Sequence, residues 1–210
     1  QTEGQSITLV YVDGTEGWIN TSESTGQSGL NPAFITATGG TITTVCTNFK
    51  VHTFTGPGTF TVCSVGNPLG STSVDYMVVA GAGAGGNDNS GGGGGGGFRE
   101  SSGVASGSYT ASPLGACVSA IPVTAQGYPI VVGAGGATTP TASTRNPGSD
   151  SSALGKTSTG GGGGGSDSAA PGLPGGSGGG GNENGSSAGG TGNTPPVSPP
   201  QGNTGAAGSA

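Results

Sequence analysis

Hydrophobic residues recur in short runs between residues 7 and 132, and each run is bounded by Gly, Pro or Asn. In the segment 74–80, Val74, Tyr76 and Val78 fall on alternate positions, which is the period-2 pattern of a pleated strand. Further runs rich in Val, Ile, Phe and Thr lie at 7–12, 41–45, 49–55, 59–65, 120–123 and 128–132. Short strands separated by turn residues predict an antiparallel sheet or a small sandwich.

The clearest turn signal lies between the runs 49–55 and 59–65. The residues between these two runs are Gly56, Pro57 and Gly58, and the flanking residues are rich in Thr, Val and Phe. This arrangement predicts a hairpin in which the two runs pair with each other across a three-residue turn.

The runs at 120–123 and 128–132 are expected to pair back onto the sheet formed by 41–80. Pro129 cannot donate a hydrogen bond to a strand ladder, so it indicates an edge strand or the start of a strand. The intervening segment 81–107 would then be a glycine-rich loop inserted at one end of the sheet.

Side chains almost disappear in the glycine runs. Seven glycines stand at 91–97, six at 160–165 and four at 178–181. One interpretation is a flexible linker, because glycine loses much backbone entropy when it is ordered. The other is polyglycine II, an extended helix with three residues per turn whose backbone groups bond only to neighbouring chains. Many separate runs that return on one another favour a lattice of such rods.

The sequence therefore predicts an all-β fold: a small antiparallel β-sheet or sandwich with glycine-rich loops forming polyglycine II segments, and no helices. Residues 1–38 are interpreted as an N-terminal assembly segment, and 39–133 as a β domain with the inserted loop 81–107. Residues 134–210 form a glycine-rich region, which we expect to continue further or to be processed at its C-terminal end.

Composition restricts the function. Of 210 residues, 51 are Gly and 14 are Pro, whereas 32 are Leu, Ile, Val or Phe, so only one modest core can form. Four basic residues and a net charge of -6 do not favour nucleic acid binding. No run of 18 apolar residues predicts a membrane span. We expect neither nucleic acid partners nor membrane insertion.

Two glycine motifs resemble nucleotide-binding loops, and both fail on their context. Gly81, Gly83 and Gly86 match GxGxxG, but that motif must open a helix, and here it runs into seven glycines. Gly155-Lys156-Thr157 resembles a phosphate loop, but Asp150 stands where the motif needs Gly, and we expect no flanking strand.

The remaining reactive residues also have simple structural interpretations. His52 could act as a general base, but the sequence shows no Ser or Cys nucleophile with an orienting acid to accompany it. A structural or solvated role for His52 is therefore favoured. Cys46 and Cys63 could form a disulfide, or these two and Cys117 are three small buried hydrophobes. Trp18 is interpreted as a core or interface anchor. We expect no catalytic residues, no cofactor and no metal site, and therefore no enzyme.

The order of motifs is similar to that of a known family. ATGGT at 37–41, FKVHTFTGPGTFTV at 49–62, VDYMVVAGAGAGG at 74–86, the glycine run closing with Phe98, VTAQGYPIVVGAGG at 123–136 and SSALGKTSTGGGGGG at 151–165 share their succession with a glycine-rich domain. This domain recurs in bacteriophage structural and tail-fibre proteins, especially in viruses of marine bacteria and cyanobacteria. The resemblance spans roughly residues 37–165, and VYVDGTEGW at 10–18 resembles the segment that often precedes it.

The resemblance implies a virion or extracellular protein, often a homotrimeric fibre that adheres to the host surface. Its partners would be copies of itself, other virion proteins and a host receptor. Loop tips would bind the receptor, and the candidate residues are Asn87, Asp88, Asn89, Phe98, Arg99 and Tyr109. The alternative hypothesis is a homopolymer that builds a structural filament or sheath without a receptor.

Overall fold

The computed structural model describes residues 8–12, 18–22, 32–45, 49–87, 89–103, 118–138, 145–166, 170–183 and 187–209. In this part of the chain thirteen short strands are present and no residue is helical. The strands are β1 (Thr8–Tyr11), β2 (Trp18–Ser22), β3 (Thr36–Thr38), β4 (Thr41–Val45), β5 (Phe49–Thr53), β6 (Gly58–Ser64), β7 (Ser73–Val74), β8 (Met77–Val79), β9 (Phe98–Glu100), β10 (Ile121–Pro122), β11 (Gly127–Ile130), β12 (Ser151–Ala153) and β13 (Lys156–Ser158). All their pairings are antiparallel, which confirms the all-β class.

Strands β3 to β6 form a bent ribbon, and the predicted hairpin across residues 56–58 is wrong. β5 pairs with β4, and β6 pairs with β3, so the two runs never pair with each other. Gly39 and Gly40, with φ of 106° and 64°, bend the first arm between β3 and β4. The second arm, which consists of β5 and β6, follows the bend through residues 54–57. The Phe54 ring packs against Gly39 and Gly40. The GPG segment therefore acts as a bulge.

The hydrophobic core lies against the half of this ribbon that β3 and β6 form. β6 is the central strand of a three-stranded sheet, with β3 on one side and β11 on the other. Phe60, Val62, Val123 and Ile130 are buried together. The predicted return of the later runs onto the strands of 41–80 is confirmed, because β11 pairs with β6 and β10 pairs with β7 in a separate two-stranded sheet. Pro129 lies in β11, an edge strand of the three-stranded sheet.

The predicted strand at 74–80 is divided into two. β7 pairs with β10, whereas β8 pairs with β9, which follows directly on the seven-glycine run. The Ser101 hydroxyl bonds to the two residues between β7 and β8. Its Oγ accepts from the Tyr76 N–H at 3.1 Å and donates to Asp75 Oδ1 at 2.6 Å.

A hairpin that sequence reasoning did not expect lies at 151–158. β12 pairs with β13 across Leu154 and Gly155, whose φ values are 53° and 73°. Positive φ at both central residues is the geometry of the two-residue turn that suits a twisted hairpin. Ala153 and Leu154 pack against the main core, so the expectation that no strand flanks Gly155-Lys156-Thr157 is wrong.

Between and after these strands, nine extended rods are present in the described residues. Rods 1 to 9 comprise residues 80–86, 91–97, 132–138, 145–150, 159–166, 170–175, 176–182, 187–193 and 201–208. They contain the three long glycine runs and bond to one another through their backbones. The expected polyglycine segments are therefore ordered.

Hydrogen bonds between rods recur at every third residue. Gly91, Gly94 and Gly97 of rod 2 donate to rod 5, at carbonyls of Gly165, Gly162 and Thr159 and distances of 3.1, 2.8 and 2.7 Å. Rod 5 in turn donates from Gly161 to Gly81 and from Gly164 to Ala84, both at 2.9 Å, in a parallel sense. A three-residue repeat without bonds inside the rod is the property of polyglycine II.

Rods 5 and 7 lie at the centre of the lattice. Rod 5 bonds to rods 1, 2, 4, 6 and 7, and residues 160–166 are all buried. Rod 7 bonds to rods 2, 5, 6, 8 and 9. Such close approach requires the absence of Cβ atoms, because a methyl group added at Gly94 or Gly161 would overlap a carbonyl of the next rod.

One expectation about a single residue is wrong in the described part of the chain, and another is wrong in one of its two alternatives. Trp18 is 69% exposed and packs edge-on against Tyr11 in the β1–β2 hairpin, so it is not a core residue, and the interface role stays a prediction. Cys63 is a free and exposed thiol, which contradicts both the disulfide with Cys46 and burial of this residue. Cys46 and Cys117 lie outside the described residues.

Candidate functional site at the tip of the lattice

The rod ends that lie farthest from the β-strands meet at one end of the lattice, which we call the tip end. Rods 1, 3, 5 and 7 run towards this end and rods 2, 4, 6 and 8 run back from it, as the antiparallel bonds between their backbones show. Rod 9 finishes there. The strands and the 194–200 loop lie at the opposite end, about 20 Å away for a seven-residue rod. Polar turns are therefore separated from the β-sheets by a rod's length.

The turn between rods 1 and 2 carries two of the predicted binding residues. Asn87 and Asn89 are exposed, and Asn89 has a positive φ of 27°. The Ser90 hydroxyl donates to the Asn87 carbonyl, which closes the turn. The Asn89 carbonyl accepts from the Glu183 N–H at 3.2 Å, so this turn is also held to the end of rod 7.

A buried polar cluster fixes the ends of rods 5, 7 and 8 beneath the tip. The Asn182 side chain is fully buried and its Nδ2 donates to the Ser166 carbonyl at 2.6 Å. The Ser187 hydroxyl donates to Asn182 Oδ1 at 2.5 Å and accepts from the Asn182 N–H at 2.7 Å. These three bonds hold the three rod ends in one geometry.

Arginine and asparagine hold a second part of the tip, at the start of rod 4. Arg145 Nη1 donates to the Pro171 carbonyl of rod 6 at 2.8 Å, and Asn146 Nδ2 donates to the Ala137 carbonyl of rod 3 at 3.0 Å. These bonds connect rod 4 to rods 6 and 3. The tip end is thus connected through side chains as well as through backbones.

A shallow, open polar cleft of about 640 Å³ lies at the tip end, between the turn that joins rods 1 and 2 and the end of rod 9. Its lining is made of Gly86, Asn89, Ser90, Gly181, Glu183, Ala207, Gly208 and Ser209. Peptide groups and small polar side chains predominate, with Glu183 as a charged group. The described lining residues can offer hydrogen bonds to a ligand, and none of them is aromatic.

Phe98 and Arg99 are not at the tip end. Both lie half-buried in β9 at the opposite end of rod 2, and Arg99 Nη1 donates to the Thr157 carbonyl at 3.3 Å. Asp88 and Tyr109 lie outside the described residues. The structure therefore brings together Asn87 and Asn89 among the predicted binding residues, and the binding role of all six stays a prediction.

Several tip residues were missed by sequence reasoning, namely Ser90, Glu183, Ala207 and Ser209 in the cleft and Arg145 and Asn146 beside rod 4. Glu183 follows the buried Asn182 directly after a glycine run, and Ser90 directly precedes one. The signal that could have identified these tip residues is that polar residues border the glycine runs. Sequence alone does not show at which end of the lattice each border lies.

Ionisable groups are sparse in this structure. At the opposite end, hydrogen bonds from the Thr124 side chain and backbone lower the pKa of Tyr128, and the Thr124 N–H lies 2.8 Å from its hydroxyl. His52 Nδ1 lies 2.9 Å from the Gly39 carbonyl, and its ring packs edge-on against Phe60, as a structural histidine does.

Among the described residues, no group of three or more His, Cys, Asp or Glu side chains is arranged to hold a metal ion. In the same residues no helix has the length and apolar character needed to cross a membrane.

Sequence comparison identifies the family of this domain. A profile described as the glycine-rich domain matches residues 53–210, about three quarters of the chain. That range includes all nine rods. No curated protein and no solved structure is significantly similar to the chain. On the evidence of this match, the chain belongs to the glycine-rich domain family.

Proposed function

We propose that this chain is a structural component of a virus particle, within a tail fibre or similar appendage, and that its tip end adheres to the host cell surface. The observation that carries the proposal is the placement of the turns. A lattice held by backbone bonds presents at one end the polar turn 87–90, the Glu183 segment and the end of rod 9. Binding surfaces are commonly loops positioned by a rigid scaffold.

The lattice provides what an adhesive appendage requires. Its cohesion comes mainly from main-chain bonds, so exposed turn residues such as Asn87 and Asn89 can differ without changing the hydrogen bonds between the rods. The motif order from residue 37 to 165 adds to the proposal through its resemblance to bacteriophage structural and tail-fibre proteins.

Labelling of particles tests the virion assignment. Antibodies raised against the purified chain are expected to decorate fibres or appendages of virus particles in electron micrographs. Decoration of long filaments that are not attached to particles would overturn the assignment.

Cell binding tests the role of the tip. A fluorescent chain is expected to bind host cells, and Asn87→Ala combined with Glu183→Gln is expected to weaken binding at least about tenfold if each lost contact contributes about 1 kcal/mol. Pro196→Ala is the matched control, since Pro196 is exposed at the opposite end. Equal binding by all three proteins would contradict adhesion through the tip.

A filament or sheath subunit without a receptor is the second candidate function. It is favoured by exposed apolar residues on the β4–β5 arm, where Ile42 is 45% exposed and Val45 and Val51 are each 44% exposed. An isolated two-stranded ribbon is marginally stable in water, so assembly with further copies would stabilise it. Open head-to-tail polymers of the purified chain would support this candidate, and closed trimers would support the fibre.

A further inference from the structure

Strand β4 has an outer edge that no other strand covers in the described part of the chain. It pairs with β5 in a two-stranded sheet, and no further backbone hydrogen bond joins residues 41–45 to the other described residues. All five residues of β4 are exposed. An uncovered edge presents a row of unpaired N–H and C=O groups, which is a template for pairing with a further strand.

The other outer strands between residues 36 and 158 have features that hinder such pairing. β3, β7, β8, β9, β10, β12 and β13 are each three residues long or shorter. β11 contains Pro129, and β5 contains the exposed Lys50. Short length, proline and lysine are devices by which proteins prevent edge-to-edge association. The sequence TITTV of β4 contains neither a charge nor a proline, so this edge is not protected.

The side chains of β4 also suit a strand with neighbours on both sides. All five residues are β-branched, which favours strands and packs well against residues on an opposite strand. Val45 lies opposite Phe49 and Thr43 lies opposite Val51 on one face of the pair. A two-stranded ribbon is marginally stable in water, whereas three or more strands with a hydrophobic face are stable. Added strands would therefore stabilise the β4–β5 pair.

We propose that β4 pairs in the antiparallel sense with β4 of a second copy of the chain, about a twofold axis at Thr43. The result is a four-stranded sheet in the order β5–β4–β4–β5. Thr43 then lies opposite Thr43 of the second copy, Thr41 opposite Val45, and Ile42 opposite Thr44. Every cross-strand pair is β-branched on both sides and none is charged, which favours this partner.

The second copy has the required strand available. Its own β4 edge is unpaired in the same way, so neither copy has to break a hydrogen bond of its fold to form the sheet. Lys50 lies in the outer strand of the four and does not meet its counterpart at the axis. Addition of a strand to an exposed sheet edge is a common mode of protein association.

The size of the contact sets its strength. A five-residue edge buries much less than the roughly 800 Å² per partner of a stable interface, so the dissociation constant should be on the order of 0.1–1 mM. A twofold pair is closed and does not propagate. It therefore differs from the open polymer of the second candidate function, and it requires neither that polymer nor adhesion through the tip.

Sedimentation equilibrium of the full chain up to about 2 mM tests the pairing. Thr43→Lys places two ammonium groups opposite each other at the axis, so the dissociation constant should increase at least about tenfold. Thr53→Lys is the matched control, because Thr53 is exposed on the same face but lies in β5. Both variants change the net charge equally. Thr53→Lys should associate as the unchanged chain does, and thermal unfolding of both variants checks that the fold is retained.

Nuclear magnetic resonance of the unchanged chain locates the contact independently of any variant. In a mixture of ¹⁵N-labelled and unlabelled copies, contacts between copies are expected at residues 41–45. A chain that is monomeric at 2 mM would overturn the proposal, and so would open polymers. Equal loss of association in both lysine variants would indicate packing of sheet faces and overturn edge pairing. Contacts confined to β5 or to the tip turn 87–90 would also overturn it.

Discussion

Glycines within a single run differ in what surrounds them, and this difference can be tested one residue at a time. A Cβ at Gly94 would overlap the Ser177 carbonyl of rod 7, whereas a Cβ at Gly95 meets open space. We expect Gly94→Ala to destabilise the fold by about 3 kcal/mol, the upper end of overpacking costs. Gly95→Ala should be neutral or stabilising by about 0.5 kcal/mol, through the lower entropy of the unfolded chain. Urea unfolding measures both, and equal effects would contradict the packing.

The buried amide beneath the tip gives a second prediction at the residue scale. Asn182→Ala removes the partner of the Ser187 hydroxyl and of the Ser166 carbonyl. Leaving buried polar groups unsatisfied should lower the free energy of unfolding by about 1–3 kcal/mol. The exposed Asn203 in rod 9 provides the control, since Asn203→Ala should change stability by less than about 0.5 kcal/mol. A stable Asn182→Ala variant would show that the cluster does not hold the rod ends.

At the scale of elements, most strands were predictable, but only some of their partners were. The run 59–65 indicated β6, because its inward residues Phe60 and Val62 are large and apolar. Gly56, Pro57 and Gly58 predicted a hairpin turn. Because Gly39 and Gly40 bend the opposite arm of the ribbon, these three residues form a bulge instead, and only the strand pairing shows this. The β12–β13 hairpin was missed because Ser, Thr and Lys carry little strand signal, and Leu154 was the only large apolar residue there.

The turn of that hairpin can be tested separately from its surroundings. Gly155 has a φ of 73° and open space around a Cβ position, so only backbone strain opposes a side chain. Gly155→Ala should cost about 1–2 kcal/mol of stability. Gly56 has equally open space and no positive φ, so Gly56→Ala is the matched control and should have little effect. A thermal melt of the two variants distinguishes strain from contact.

At the scale of the whole molecule, cohesion comes from two sources. A small core around Phe60 and Ile130 holds the sheets, while main-chain bonds hold the rods. Composition and the separate glycine runs predicted such a lattice. The order of the rods and the end at which the tip residues meet were not predictable, because glycine runs carry no side-chain pattern that specifies a neighbour. Asn87 and Asn89 were found, since they interrupt a run, whereas Ala207 gave no signal.

Amide hydrogen exchange of the glycine runs tests the lattice most directly. Gly162 and Gly165 of rod 5 are buried and donate to rod 7 at 2.9 and 2.7 Å, so their amides should exchange at least about a thousandfold more slowly than in an unfolded chain. Thr204 and Ala207 of rod 9 are exposed and have no acceptor among the described residues, so they should exchange nearly as fast as unfolded peptide. Fast exchange throughout residues 160–165 would contradict the lattice and indicate a flexible linker.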